Sequence, residues 1–540
     1  MTRVARRVLG ILVPIASLMA CGGGGGGGEP VGSPQAGPGP FGLISPSYGS
    51  QSAAVSPILR WKESSGARSY RVQIDDDPYF SNCEFEKGGL SSLSLAIPPG
   101  ILTEDTAYYW RVFAVNDVGE ILAGNAPFKF VPNLWARSFS PDVGSLVLQS
   151  CRPSTSGGSF VGGHHVVSRE VLAVLVARLD ANGAVEWIRS SGIPEGEGVD
   201  LTGVFPTADG GCVVAARRTV ASGIRSILLA RFAAGGAVAW QRSYTFAGSG
   251  VSTIGVRGLA ETSDGALLVV GQHEGGAALL MKVKADGTSQ WARIYGTGGR
   301  FNAVAETPEG GYLAAGEFFY VDPSTNLQLS YSWVVKTNAG GAVEWQKQYI
   351  PDRGILGRIV ALEDGGCVVA GWYAKGSSFG DCLVRLDSSG EFQWGRGIGA
   401  WNTPGFRSLA RAQDGGFLVF GSINTDSSYL LRTNAEGDAD WGQRIRMSEA
   451  GLLTQARTVS EAPDGGLFLG ATGSGRWQVM RIDRDGSLPG VSTPLDIGVQ
   501  PLYWSPIPTT ATTELWSVSE EILTATWGGD LVVTKHDDVP

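Results

Sequence analysis

Seven tryptophans set the frame of this chain: Trp135, Trp187, Trp240, Trp291, Trp345, Trp394 and Trp441 recur at spacings of 52, 53, 51, 54, 49 and 47 residues. A period near fifty residues, kept over more than half of the sequence, calls for a repeat architecture rather than one layered core. Before six of the tryptophans stands a glycine turn: Asn182-Gly183, Gly235-Gly236, Asp286-Gly287, Gly340-Gly341, Ser389-Gly390 and Glu436-Gly437. A second turn follows each tryptophan from Trp187 onward by 18 to 24 residues, at Asp209, Asp264, Glu309, Asp364, Asp414 and Asp464, each followed by glycine. A weaker copy, Gly157-Gly158, follows Trp135.

Each period divides into four short strands. In the unit ending at Trp345 these are 301–306, 312–318, 332–336 and 342–349, with the glycine turns closing the first and third hairpins, where positive φ is needed. Four antiparallel strands repeated radially describe a propeller blade. With 79 Gly and only 17% charged residues, the chain is expected to be almost all-β: a seven-bladed β-propeller of four-stranded blades over 133–490, preceded by a small β-sandwich. The seventh unit reaches Asp485-Gly486 without a tryptophan strand. The missing strand stands at the other end, Leu134 to Phe139, and is expected to pair into the last blade and close the ring. The tail, 491–540, carries Trp504, Trp516 and Trp527 in short β-like runs that either lie on the ring or form a cap.

The repeat pattern Trp-x-Arg/Lys-x-Tyr, Asp-Gly-Gly-aromatic, then Lys/Arg-x-Asp/Asn before Gly-x-x-x-Trp resembles the bacterial and archaeal β-propeller-repeat proteins of secreted and surface type. Ala177-Arg178-Leu179-Asp180 through Gly183 and Trp187 are also similar to the tryptophan-docking motif of quinoprotein dehydrogenases, one residue short. Either resemblance implies that the tryptophans pack between neighbouring blades, a structural role assigned here to all seven.

The N-terminus supplies an address. Arg3, Arg6 and Arg7 precede an apolar run, 8–18, and a small residue at Ala20, the pattern of a secretory signal in 1–20. The run is too short to span a bilayer. Leu18-Met19-Ala20-Cys21 resembles the lipobox of bacterial lipoproteins, which implies lipidation of Cys21 and a membrane partner through that lipid. Gly22, where a sorting Asp would stand, implies a place at the outer membrane of the cell envelope. Residues 21–40 are Gly/Pro-rich tether, with a reach of roughly 25 Å.

Residues 41–132 read as short strands (58–62, 69–74, 92–97, 107–115 and 127–131). Leu59 and Trp61, Tyr70-Arg71-Val72-Gln73-Ile74 and Tyr109-Trp110-Arg111-Val112 resemble a fibronectin type III module, which implies a β-sandwich with Trp61 and Trp110 in its core.

Charge excludes one class of partner. The formal net charge of −9 becomes −12 when the three leader arginines are removed, which leaves no basic stripe for nucleic acid. Apart from Cys21, the cysteines (Cys83, Cys151, Cys212, Cys367 and Cys382) form no metal motif or disulfide framework, although Cys367 and Cys382 could face each other across one hairpin. His164 and His165 are adjacent on a strand, so they point to opposite faces and cannot share an ion. No catalytic constellation, metal site or cofactor-binding motif is expected. Seven residues before the Asp of the second turn stand Arg257, Arg407 and Arg457, with Arg358 one place off. Innermost strands that aim guanidiniums at the channel would favour an anionic ligand, unless Glu261 and Glu461, four residues further on, neutralise them. Connections 317–332 and 164–171 offer a second candidate surface. These features favour a non-catalytic binding or scaffolding lipoprotein with an unidentified protein or glycan partner, its sandwich acting as spacer. The alternative is a propeller enzyme, quinoprotein-like or glycan-active.

Overall fold

The computed structural model describes residues 36–488 except 47, 155–156, 168–169, 193–196, 247–254, 274–275, 297, 322–327, 351–352, 376–377, 400–404, 425–426, 447–454 and 474. Beyond 488 it describes 492–495, 499–502, 505–508, 513–516, 518–522, 527–528 and 533–537. The leader, Cys21 and Trp504 lie outside the described residues.

Seven antiparallel sheets form a ring of blades, numbered here 1 to 7: residues 145–192, 198–246, 255–295, 300–350, 353–398, 406–445 and 455–482. Within each blade the strands follow one another from the axis outwards. The middle strands are buried on both faces, as in Leu267–Gln272 and Ala278–Val283, because every blade is covered by a neighbour on each side. Outer strands such as Ser289–Tyr295 alternate and are half exposed. The seams between blades are the core: Val213, Leu229 and Tyr244 of blade 2 interlock with Leu267, Val269 and Met281 of blade 3.

Blade 7 is completed from the other end of the chain. Strand Trp135–Pro141 pairs antiparallel with Arg476–Ile482, Trp135 opposite Arg481 and Phe139 opposite Trp477. Both short glycine turns of each blade lie on one face of the ring, the turn face; the second-to-third strand hairpins lie on the other. Two of those hairpins are longer than the sequence spacing suggests: where 164–171 reads as a connection, strands Ser159–Val167 and Glu170–Leu179 pair as far as Val167 opposite Glu170. Where 317–332 reads as a loop, strands Tyr312–Val321 and Gln328–Thr337 continue in register to Val321 opposite Gln328.

The tail lies on the ring, and it makes the blades five-stranded. Its strands Ser492–Pro494, Val499–Leu502, Ser505–Pro508, Thr513–Trp516, Val518–Ile522 and Trp527–Gly528 pair with the outer strands of blades 6, 5, 4, 3, 2 and 1 in that order. Finally Val533–Asp537 pairs with Trp135–Pro141 in blade 7. The chain therefore runs round the ring once to build the blades and once backwards to hem their edges. Open strand edges are templates for association, and this second circuit covers part of all seven.

The N-terminal sandwich packs a three-stranded sheet against a six-stranded one around Trp61, Tyr70, Val72, Tyr108 and Trp110. It is not a free spacer. Asp464, in the turn of blade 7, accepts Ala54 N–H through its carboxylate (2.9 Å) and Ile58 N–H through its carbonyl (2.7 Å). Asp483 accepts Ser56 N–H (3.1 Å), and Val55 packs on the blade 7 cluster that includes Leu134 and Leu488. Charged acceptors that hold buried backbone N–H groups fix the sandwich to the turn face. Cys151, Cys212, Cys367 and Cys382 are buried free thiols; Cys382 faces Gly371 and Cys367 faces Leu386, so the two do not meet across their hairpin.

Candidate functional site: the central channel

The innermost strand of every blade carries a β-bulge at the same place. Its register against the second strand skips Gln149, Thr202, Arg257, Asn302, Gly357, Arg407 and Arg457 in blades 1 to 7. A bulge leaves the extra residue unpaired and re-aims its side chain. Repeated seven times around an axis, it produces a ring of side chains at one level of the channel. Thr202 and Asn302 reach sideways, donating to Val256 O (2.9 Å) and Leu356 O (3.0 Å) of the following blades.

A cavity of about 300 Å³ in this channel is lined by Gln149, Arg152, Phe205, Arg257, Arg358 and their neighbours. Blade 5 departs from the others: its bulge residue is Gly357, and Arg358 fills the next position, where the other blades carry Ser150, Gly203, Gly258, Ala303, Ser408 and Thr458. Arg152, on blade 1, lies over the Phe205 ring of blade 2 at 5.2 Å. The channel thus gathers Arg152, Arg257, Arg358, Arg407 and Arg457 from five blades.

Carboxylates act on Arg257 only from a distance, since Glu317 and Asp200 are paired with Arg300 and Arg217. Among the described residues, neither Arg152 nor Arg257 hydrogen-bonds a protein acceptor or pairs with a carboxylate. Arg358 donates to Gly357 O (2.6 Å) and Arg407 to Phe406 O (3.2 Å). These groups keep solvent contact yet are walled in by protein. Loss of bulk water, then the nearby Arg152 and Arg407, pull the Arg358 guanidinium down to about 10. Enclosure likewise lowers Arg152; it lowers Arg257, with Arg300 adding to the effect, and Arg457, with Arg407 adding.

The glutamates that could have neutralised the ring are bonded to neighbouring blades, although Glu261 also lines the cavity. Glu261 accepts Ala208 N–H (2.9 Å) and approaches Arg231 (3.7 Å), both in blade 2. Glu461 accepts Gln413 N–H (2.8 Å) and lies 3.9 Å from Arg432, both in blade 6. They clasp each blade to the preceding one. Sequence spacing also missed Arg152, which sits three residues beyond its bulge and has no counterpart at that level.

One further acid stands at the edge of the ring. Asp381 is fully buried, accepts Tyr429 Oη–H (2.6 Å) and Gly405 N–H (3.2 Å), and is raised to about 6 by burial. His164 is buried and accepts Leu201 N–H at Nε2 (2.7 Å), which leaves it neutral; burial lowers it further, while His165 turns away to Val143 O. No group of three or more metal-ligating side chains occurs among the described residues.

The tryptophans belong to the seams. Each lies against the turn glycine of the next blade: Trp135 on Gly183, Trp187 on Gly236, Trp240 on Gly287, Trp291 on Gly341, Trp345 on Gly390, Trp394 on Gly437 and Trp441 on Gly486. A Cβ at Gly236, where φ is +80°, would come within 2.7 Å of the Trp187 ring, so a side chain is excluded by both contact and backbone. The indole N–H groups of Trp135, Trp187, Trp240 and Trp345 donate to carbonyls of those turns at 2.9 Å.

No family model matches the chain, and no curated protein matches it. Solved structures similar to it include a protein of unknown function from Bacteroides caccae (13% identity, 57% of this chain and 93% of that one, TM-score 0.34). An exo-type rhamnogalacturonan lyase is 11% identical over 81% of this chain and 91% of that one, TM-score 0.40. A glucose dehydrogenase is 12% identical over 64% and 98%, TM-score 0.29. At these scores the likenesses say nothing about chemistry.

Proposed function

We propose that the protein is a non-catalytic binding module, tethered to the cell envelope through a lipid on Cys21, whose propeller takes an anionic ligand in its central channel. The observation that carries this reading is that Arg152, Arg257 and Arg358, none of them ion-paired among the described residues, line one cavity whose only carboxylate, Glu261, is engaged by blade 2, in a chain whose net charge is −9. A guanidinium without an ion pair, set in a cavity walled by protein, gains from any oxyanion that reaches it.

The fibronectin type III-like sandwich then serves as a fixed platform between tether and ring, and an outer-membrane location follows from Gly22 after the lipobox. A protein or glycan bearing acidic groups fits as the natural partner, and nucleic acid does not. Two experiments test the proposal. Calorimetric titration of the full chain with sodium phosphate should give saturable binding that weakens at least tenfold in Arg257→Gln; no binding, or none lost, overturns the channel site. Cys21→Ser should release the protein from the membrane fraction; continued sedimentation with membranes overturns the anchor.

A further inference from the structure

We infer that the channel selects a compact polyanion carrying three or more negative charges, rather than anions in general. This rests on the channel reading above and adds a valence to it.

Arg152, Arg257 and Arg358 come from three different blades and line one cavity of about 300 Å³, and Arg407 acts on Arg358 from a fourth. None of the four has an ion pair among the described residues, and Asp381, an acid that interacts with Arg407, is itself engaged by Tyr429 and Gly405. A monovalent anion would satisfy one guanidinium and leave the others repelling one another. Each further charge on the ligand meets another guanidinium that has no ion pair of its own, so it adds a charge-assisted contact. Size limits the other side. Arg358 and Arg152 line a cavity of only about 300 Å³, room for a compact ligand. A long chain threading the axis is thereby disfavoured. What remains is small and densely charged: a condensed phosphate or a tricarboxylate.

The test is calorimetry on the full chain, at constant ionic strength, with acetate, orthophosphate, pyrophosphate, tripolyphosphate and citrate. Affinity should rise roughly tenfold per added charge, since 1.4 kcal/mol is a factor of ten. The rise should vanish in the Arg257→Gln/Arg358→Gln double variant, whose fold is checked by circular dichroism. Citrate against tripolyphosphate separates the carboxylate source from the phosphate source. Arginine-dependent binding that is flat with valence overturns the polyanion and leaves the anion site standing. Graded binding that survives in the double variant places the ions elsewhere and overturns it too. If no anion binds, the channel reading fails as well.

Discussion

The seams between blades and the channel they enclose are built from the same seven repeats, yet they treat those repeats in opposite ways. At the seam every copy is the same: a tryptophan on a turn glycine, seven times. At the channel every copy has the same backbone, a bulge in the innermost strand, but the residue it presents is Gln149, Thr202, Arg257, Asn302, Gly357, Arg407 or Arg457. Uniform side chains mark positions where geometry must close a ring. Varied side chains on uniform backbone mark a surface free to specialise. The indole N–H groups of Trp135, Trp187, Trp240 and Trp345 are satisfied by turn carbonyls, whereas Arg152 and Arg257 have no hydrogen-bond or ion-pair partner among the described residues.

This contrast predicts opposite signs of mutational effect. Trp135→Ala strikes the seam where it also closes the ring; Trp135 is 1% exposed and stacks on Gly183. It should cost about 3–5 kcal/mol in denaturant unfolding, as for other buried aromatic truncations. A loss below about 1 kcal/mol would show that the seam does not carry the ring.

Next in size is the pH response of Asp381, at the border of seam and channel. Its folded value of about 6 lies above the usual 3.8, so the folded state prefers the protonated acid. The stability this confers is complete below pH 4 and is lost as pH rises to 6, by about 3 kcal/mol at 1.36 kcal/mol per unit. Asp381→Asn should flatten that stretch of the stability profile, measured by urea unfolding from pH 4 to 7. An unchanged slope would assign the pH response to other groups.

Gly236→Ala should lose about 1–3 kcal/mol, because the new methyl meets the Trp187 ring and the backbone is left-handed there. The channel should respond the other way. Arg358→Gln removes a charge whose pKa is depressed to about 10, a sign that folding holds it at a cost. Allowing for water in the channel, thermal or urea unfolding should show a gain of about 1–2 kcal/mol. A loss would mean that Arg358 is structural, and the division between seam and channel would fail.

Much of the scaffold was legible from local pattern. The tryptophan period, the glycine turns and the displaced strand 134–139 each depend on neighbours along the chain, so spacing alone located them. The bulge ring was half legible. Counting seven residues back from the turn aspartates finds Arg257, Arg407 and Arg457, and it passes over Arg358 because Gly357 occupies the bulge. Arg152 was invisible, since nothing in its own blade signals that Arg358 approaches it from across the channel. Nor could spacing show that Glu261 and Glu461 turn to the preceding blade.

The sequence by itself determined a seven-fold wheel of short antiparallel strands, because a periodic pattern of aromatic, glycine and apolar residues admits few other closed solutions. Only the tertiary structure decided that the last fifty residues retrace the ring in reverse and that the sandwich is fixed to blade 7. The tail pairs through backbone N–H and C=O groups, and the sandwich offers the backbone N–H groups of Ala54, Ser56 and Ile58 to Asp464 and Asp483. Every residue type offers those groups, so strand addition and backbone docking leave no signature that side-chain spacing can reveal.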